Sequence, residues 1–189
     1  IAFGLTKPQL QASRWVVNSL KWQLSIVYVF AGIAKLNHDW LFRAMPLKMW
    51  LPAKTNLFLI GPLLDKAWVA YLFSWFGAFY DLSIPLWLSI RKLLVPAYLT
   101  VIVFHLLTAA LFPIGMFPYI MIVSTTLFFP SAWHEKIIIR IEDMLNFNDY
   151  DTKVYTGNQV FVKYLITIFL LIQLVLPWRH MLYKGDVFW

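Results

Sequence analysis

Long apolar runs, separated by short polar or proline-bearing segments, dominate the chain, and their lengths predict about five membrane-spanning helices. They run from about Trp15 to Leu36, Ala67 to Ile90, Leu93 to Phe112, Phe117 to Phe129 and Val160 to Leu176. The stretch from Pro113 to Pro118 is so short that the third and fourth helices must form a hairpin. Between the first two, Leu57 to Leu64 is too brief to cross and reads as interfacial. From Ser131 to Asn158 the chain turns polar, yet Trp133 to Leu145 repeats isoleucine at helical spacing and predicts an amphipathic helix on the membrane surface. The expected fold is an all-α polytopic bundle of about five transmembrane helices plus that interfacial helix.

Composition agrees with this pattern. Hydrophobic residues make up 61% of the 189 and charged residues 13%, against about 45–50% and about 25% in soluble domains. The chain therefore reads as an integral, multi-pass membrane protein, in the cytoplasmic membrane if bacterial and in the endoplasmic reticulum if eukaryotic. Ten tryptophans within a 19% aromatic content suit helix ends anchored at the headgroups. The net charge of +7 comes from Lys and Arg scattered over loops and helix ends, so it reads as topology signal and not as a nucleic-acid surface. These residues divide almost evenly between the two sides and leave orientation open. The absence of cysteine excludes disulfides, thiolate catalysis and Cys-ligated zinc, and four scattered histidines lack metal-site spacing, so no metal is expected. No phosphate loop or nucleophile elbow appears.

Polar residues inside the apolar runs carry the chemistry. Lys35 closes the run from Leu24 to Ala34, where an ammonium at the hydrocarbon centre costs about 2.5–3.5 kcal/mol on insertion scales. Lys21, Ser25, Tyr28, Gly32 and Lys35 share one helical stripe. Ser74, Gly77 and Asp81 share a second, and Tyr98, His105 and Thr108 a third. Lys35, Asp81 and His105 are thus each expected to point inward. Plainer roles stand beside this one: Lys35 snorkelling to headgroups, His105 donating to a neighbouring carbonyl, Asp81 bonding backbone freed by Pro85. On the residues alone, a catalytic site, a polar transport pathway and helix glue all remain open.

The string from Trp22 to Trp40, with Ala31-Gly32-Ile33-Ala34-Lys35-Leu36 at its centre, resembles the vitamin K-dependent gamma-glutamyl carboxylase family in its membrane portion, the HTTM domain. Asp81-Leu82-Ser83, Phe104-His105, Leu111 to Phe117, Pro130-Ser131-Ala132-Trp133 and Leu176-Pro177-Trp178-Arg179-His180 continue the resemblance in order. It implies a microbial homologue and, since the chain begins at Ile1, an interior piece: a partial HTTM domain over residues 1–189, without upstream spans or the C-terminal β domain. The implied activity couples oxygenation of reduced vitamin K to its epoxide with carboxylation of protein glutamate, using molecular oxygen and carbon dioxide as co-substrates. Lipid, the quinol and a glutamyl peptide are the implied partners.

In that scheme Lys35 matches the lysine base that deprotonates the hydroquinone. Low dielectric disfavours the charged form of an amine, which agrees independently with such a role. His105 would hydrogen-bond the quinol or an oxygenated intermediate. Asp81, Tyr28, Tyr98 and Thr108 would support these groups or line the substrate cavity. Ala34 stands where some carboxylases carry a second lysine, and Thr108 where an asparagine is expected. An epoxidase without peptide carboxylation, or a quinol-binding or transport module, is therefore the alternative.

Overall fold

The computed structural model describes residues 14–58, 60–145 and 159–177. Among them the chain forms nine α-helices and no strand: α1 (Arg14–Ala34), α2 (His38–Arg43), α3 (Leu47–Trp50), α4 (Gly61–Leu64), α5 (Ala67–Ser89), α6 (Leu94–Leu111), α7 (Phe117–Thr125), α8 (Ser131–Leu145) and α9 (Gln159–Val175). The all-helical expectation holds. Two helices, α1 and α6, are long and apolar enough to cross a membrane. Five crossings are not reached on these grounds. Helix α5 has 23 residues but is diluted by Asp81 and by Trp and Tyr side chains along its length. Helix α7 has nine residues and its 3-10 extension three, together about 20 Å, short of a hydrocarbon core of about 30 Å. Helix α9, with 17 residues, lies at the lower limit of about 17–25.

Helices α1 and α5 pack antiparallel at close range. Gly32 makes this possible, since a Cβ there would fall 2.6 Å from Cγ of Leu82. One turn later the Lys35 side chain passes Gly77, at the centre of α5. Helix α1 therefore stops halfway along α5. Asn37 fixes the stop from both sides: its Nδ2 donates to the Ala34 carbonyl at 2.8 Å, and its Oδ1 accepts from the Trp40 amide at 2.8 Å as the N-cap of α2.

The following chain folds against the N-terminal half of α5. Trp40 Nε1 donates to the Ser74 carbonyl at 2.9 Å, and the Ser74 hydroxyl donates back to the Trp40 carbonyl. Trp75 Nε1 reaches the Leu41 carbonyl at 2.8 Å, and the Tyr71 hydroxyl the Phe42 carbonyl at 3.1 Å. Ala44, Leu47, Leu51 and Leu64 then form one apolar cluster with Val69, Ala70 and Leu111. The expected long connection is thus a stack of short helices, because these side chains bury more surface against α5 than an extended loop would.

A second cluster joins α1, α5, α6 and α7 through Tyr28, Ile84, Val101 and Met121. Tyr80 stacks on Phe104 with ring centroids 3.8 Å apart, which fixes α6 on α5 next to His105. Helix α7 returns along α6 as the expected hairpin. Helix α8 forms over the predicted amphipathic segment, with Ile137, Ile138, Ile139 and Ile141 exposed. The remaining polar stretch to Asn158, and Trp178-Arg179-His180, lie outside the described residues.

The two glycines of the α1–α5 contact should respond oppositely to a methyl group. Gly32→Ala forces Leu82 to shift and should cost about 1–3 kcal/mol through overpacking. A Cβ on Gly77 meets nothing nearer than Lys35 Cε at 4.0 Å, so Gly77→Ala should gain about 0.5–1 kcal/mol from helix propensity. Thermal unfolding midpoints in one detergent check both signs, and equal shifts would contradict this packing.

Candidate functional site

Lys35 lies one residue beyond the last helical residue of α1, and its side chain turns back along the helix. Its ammonium donates to the Ala31 carbonyl at 3.1 Å, satisfying one of the acceptors that a helix C-terminus leaves open. The same nitrogen meets Asp81 Oδ2 at 2.5 Å. The Lys35 side chain is 20% exposed and that of Asp81 6%, so the pair is largely withdrawn from solvent. The Trp40 ring stands 5.5 Å from the ammonium and covers it from the α2 side. Snorkelling is not what this lysine does. Asp81, in turn, spends its carboxylate on Lys35 and not on the backbone near Pro85.

A second polar pair stands two turns earlier on α1. The Tyr28 hydroxyl lies 3.0 Å from His105 Nε2, and both residues are buried. His105 Nδ1 is buried without a hydrogen-bond partner among the described residues. Depending on the tautomer, that nitrogen either donates or accepts one further bond. Thr108 is held by its hydroxyl, which donates to the His105 carbonyl at 2.9 Å.

Both pairs line one cavity of about 230 Å³ between α1, α5, α6, α7 and the short-helix stack. Lys35, Asp81, Tyr28, His105 and Thr108 all reach it, and the rest of the wall is overwhelmingly apolar. Tyr98 is not among the lining residues; it packs edge-on against Phe129 with ring centroids 5.1 Å apart. Its step of seven from His105 preserves the helix face but displaces it by about 10.5 Å along the axis. Trp40 and Phe104 line the cavity without having been given a role from the sequence, and Gly77 lines it beside them. For Gly77 the signal was its place in the Ser74 to Asp81 stripe. His38 and His134 lie elsewhere, and among the described residues no three His, Cys, Asp or Glu side chains converge as metal ligands.

With the geometry in place, comparison with known families is specific. The family model described as the HTTM domain matches residues 4–133, well over half of the chain and inclusive of every cavity-lining residue. No solved structure matches the chain.

The Lys35–Asp81 pair predicts a definite pattern of stability. Lys35→Met or Asp81→Leu alone strands a largely buried charge and should cost about 3 kcal/mol; the double substitution removes both charges and should recover most of that loss. A double-mutant cycle on unfolding midpoints tests this, and strictly additive losses would contradict it.

Proposed function

Because the chain belongs to the HTTM domain family, we propose that it forms the membrane-embedded quinol site of a vitamin K-dependent gamma-carboxylase-like enzyme. The observation that carries this reading is the presence of two polar pairs in one otherwise apolar cavity. Lys35–Asp81 and Tyr28–His105 are separated by two turns of α1, so a flat ring with an oxygen at each end meets one pair with each oxygen. An apolar wall with a few convergent polar groups is the usual environment for such a ligand.

In this proposal the Lys35 ammonium first passes a proton to the Asp81 carboxylate 2.5 Å away, and the neutral amine so formed takes a proton from the nearer hydroxyl of the reduced naphthoquinone, which leaves an ammonium beside the quinolate and a neutral Asp81. The acceptor is thus a pair and not an isolated amine. The Tyr28–His105 pair receives the second oxygen, and the 3.0 Å contact between the two side chains fixes the imidazole. Thr108 steadies the same turn of α6. The reduced quinone, once oxygenated by molecular oxygen, would supply the strong base that removes a glutamyl γ-proton before carbon dioxide is captured.

Multi-pass insertion belongs to the same proposal. With α5 across the bilayer, Lys35 would lie near mid-depth, where pairing with Asp81 relieves the penalty of a lone charge. Helix α8 would rest in the interface with its isoleucines toward lipid.

The decisive assay is product analysis of the intact protein supplied with reduced naphthoquinone and oxygen. Lys35→Met should lower epoxide formation by about 10²–10⁴-fold, the usual contribution of a positioned base. His105→Gln should lower it less. Turnover that survives Lys35→Met would reject the base assignment. Incorporation of carbon dioxide into a glutamyl peptide, measured separately, distinguishes a carboxylase from an epoxidase alone, a distinction that Ala34 and Thr108 make worth drawing.

A further inference from the structure

Two tryptophans tie α2 to α5 and differ in where their rings go. Trp40 Nε1 donates to the Ser74 carbonyl at 2.9 Å, and Trp75 Nε1 donates to the Leu41 carbonyl at 2.8 Å. Trp75 makes its bond while 57% exposed, so anchoring α2 does not require an inward ring. The Trp40 ring nevertheless enters the cavity wall and stands 5.5 Å from the Lys35 ammonium.

From this difference we infer that Trp40 is a positioning residue for Lys35, whose ring keeps water from the amine and holds the amine against Asp81. The inference rests on the quinol reading above, in which Lys35 is the base. What surrounds the nitrogen is the first argument. Helix α1 supplies the Ala31 carbonyl and α5 the Asp81 carboxylate, both polar. Gly77 presents no side chain to the lysine stem. Among these neighbours Trp40 alone brings apolar bulk, and it lies within the roughly 6 Å at which a ring face attracts a cation.

The firmness of the cover is the second argument. Ser74 is fully buried; its carbonyl accepts the indole N–H and its hydroxyl donates to the Trp40 carbonyl, so one residue fixes both ring and backbone. Ser74, Gly77 and Asp81 follow at steps of three and four on one face of α5. That stripe therefore serves a single amine: Ser74 anchors the cover, Gly77 admits the stem and Asp81 takes the charge. Proton passage between Lys35 and Asp81 gains from such a cover, because water at the pair would exchange the proton with solvent.

The test is reductive methylation of the intact protein in lipid nanodiscs with formaldehyde and cyanoborohydride, followed lysine by lysine by peptide mass spectrometry. Exposed Lys92 serves as internal reference, so reagent concentration cancels. Trp40→Ala should raise the rate at Lys35 relative to Lys92 about tenfold, and Trp40→Phe, which keeps a ring, should retain most of the protection. Trp75→Ala cuts the other tie between α2 and α5 and should leave the ratio unchanged. Ser74→Ala frees the Trp40 carbonyl and should raise the ratio by a smaller factor. An unchanged ratio in Trp40→Ala, or in Ser74→Ala where Trp40→Ala does not fold, overturns the inference, as does an equal rise in Trp75→Ala. Failure of the base reading looks different: epoxide formation survives Lys35→Met, yet the methylation ratio still responds to Trp40→Ala.

Discussion

A lysine at the end of one helix and an aspartate in the middle of another set the plan of this molecule. The 2.5 Å contact between Lys35 and Asp81 pins the C-terminus of α1 to the centre of α5. Helix α1 can go no further along α5, because Lys35 and Asn37 both cap its last carbonyls. The chain must then cover the bare N-terminal half of α5 with something else, and it does so with α2, α3 and α4. A cavity opens where the end of α1 meets that stack. Position and charge agree here, since a cation at a helix C-terminus also meets the negative end of the helix dipole.

Much of the site was legible in the sequence because helical periodicity reports which residues share a face. Tyr28, Gly32 and Lys35 fall on one stripe and all face α5 or the cavity. Ser74, Gly77 and Asp81 answer them from α5, with Ser74 bonded to the Trp40 backbone and Gly77 beside the Lys35 side chain. His105 and Thr108 do the same from α6. Tyr98 marks the limit of such reasoning, since periodicity fixes a face but not a depth. The partner of Asp81 was equally invisible: Pro85 suggested a local backbone role, whereas the carboxylate is used across helices.

The stack after α1 left no periodic trace. Helices of four to six residues are too short to show a hydrophobic face. It turns through Ala44, which is left-handed at φ 52° and wholly buried, and no glycine announces it. Gly61 is more readable after the fact, because any side chain there would run into the backbone carbonyl of Thr55. Hydropathy marks five apolar runs, and two of them form helices long and apolar enough to cross a membrane. It counts apolar residues without asking where a helix ends, so the run after Pro113 reads longer in the sequence than the helix it forms.

Helix glue, the plainest account of these polar groups, leaves two observations unexplained. Residues that serve only to join helices satisfy one another and close the space between them. Lys35 and Asp81 do satisfy one another, but a cavity of about 230 Å³ remains beside them. His105 uses Nε2 on Tyr28 and leaves Nδ1 buried without a partner among the described residues. An unmet buried polar atom costs about 1–3 kcal/mol. An unfilled cavity and an unpaired buried nitrogen are two costs that the joining of helices does not account for.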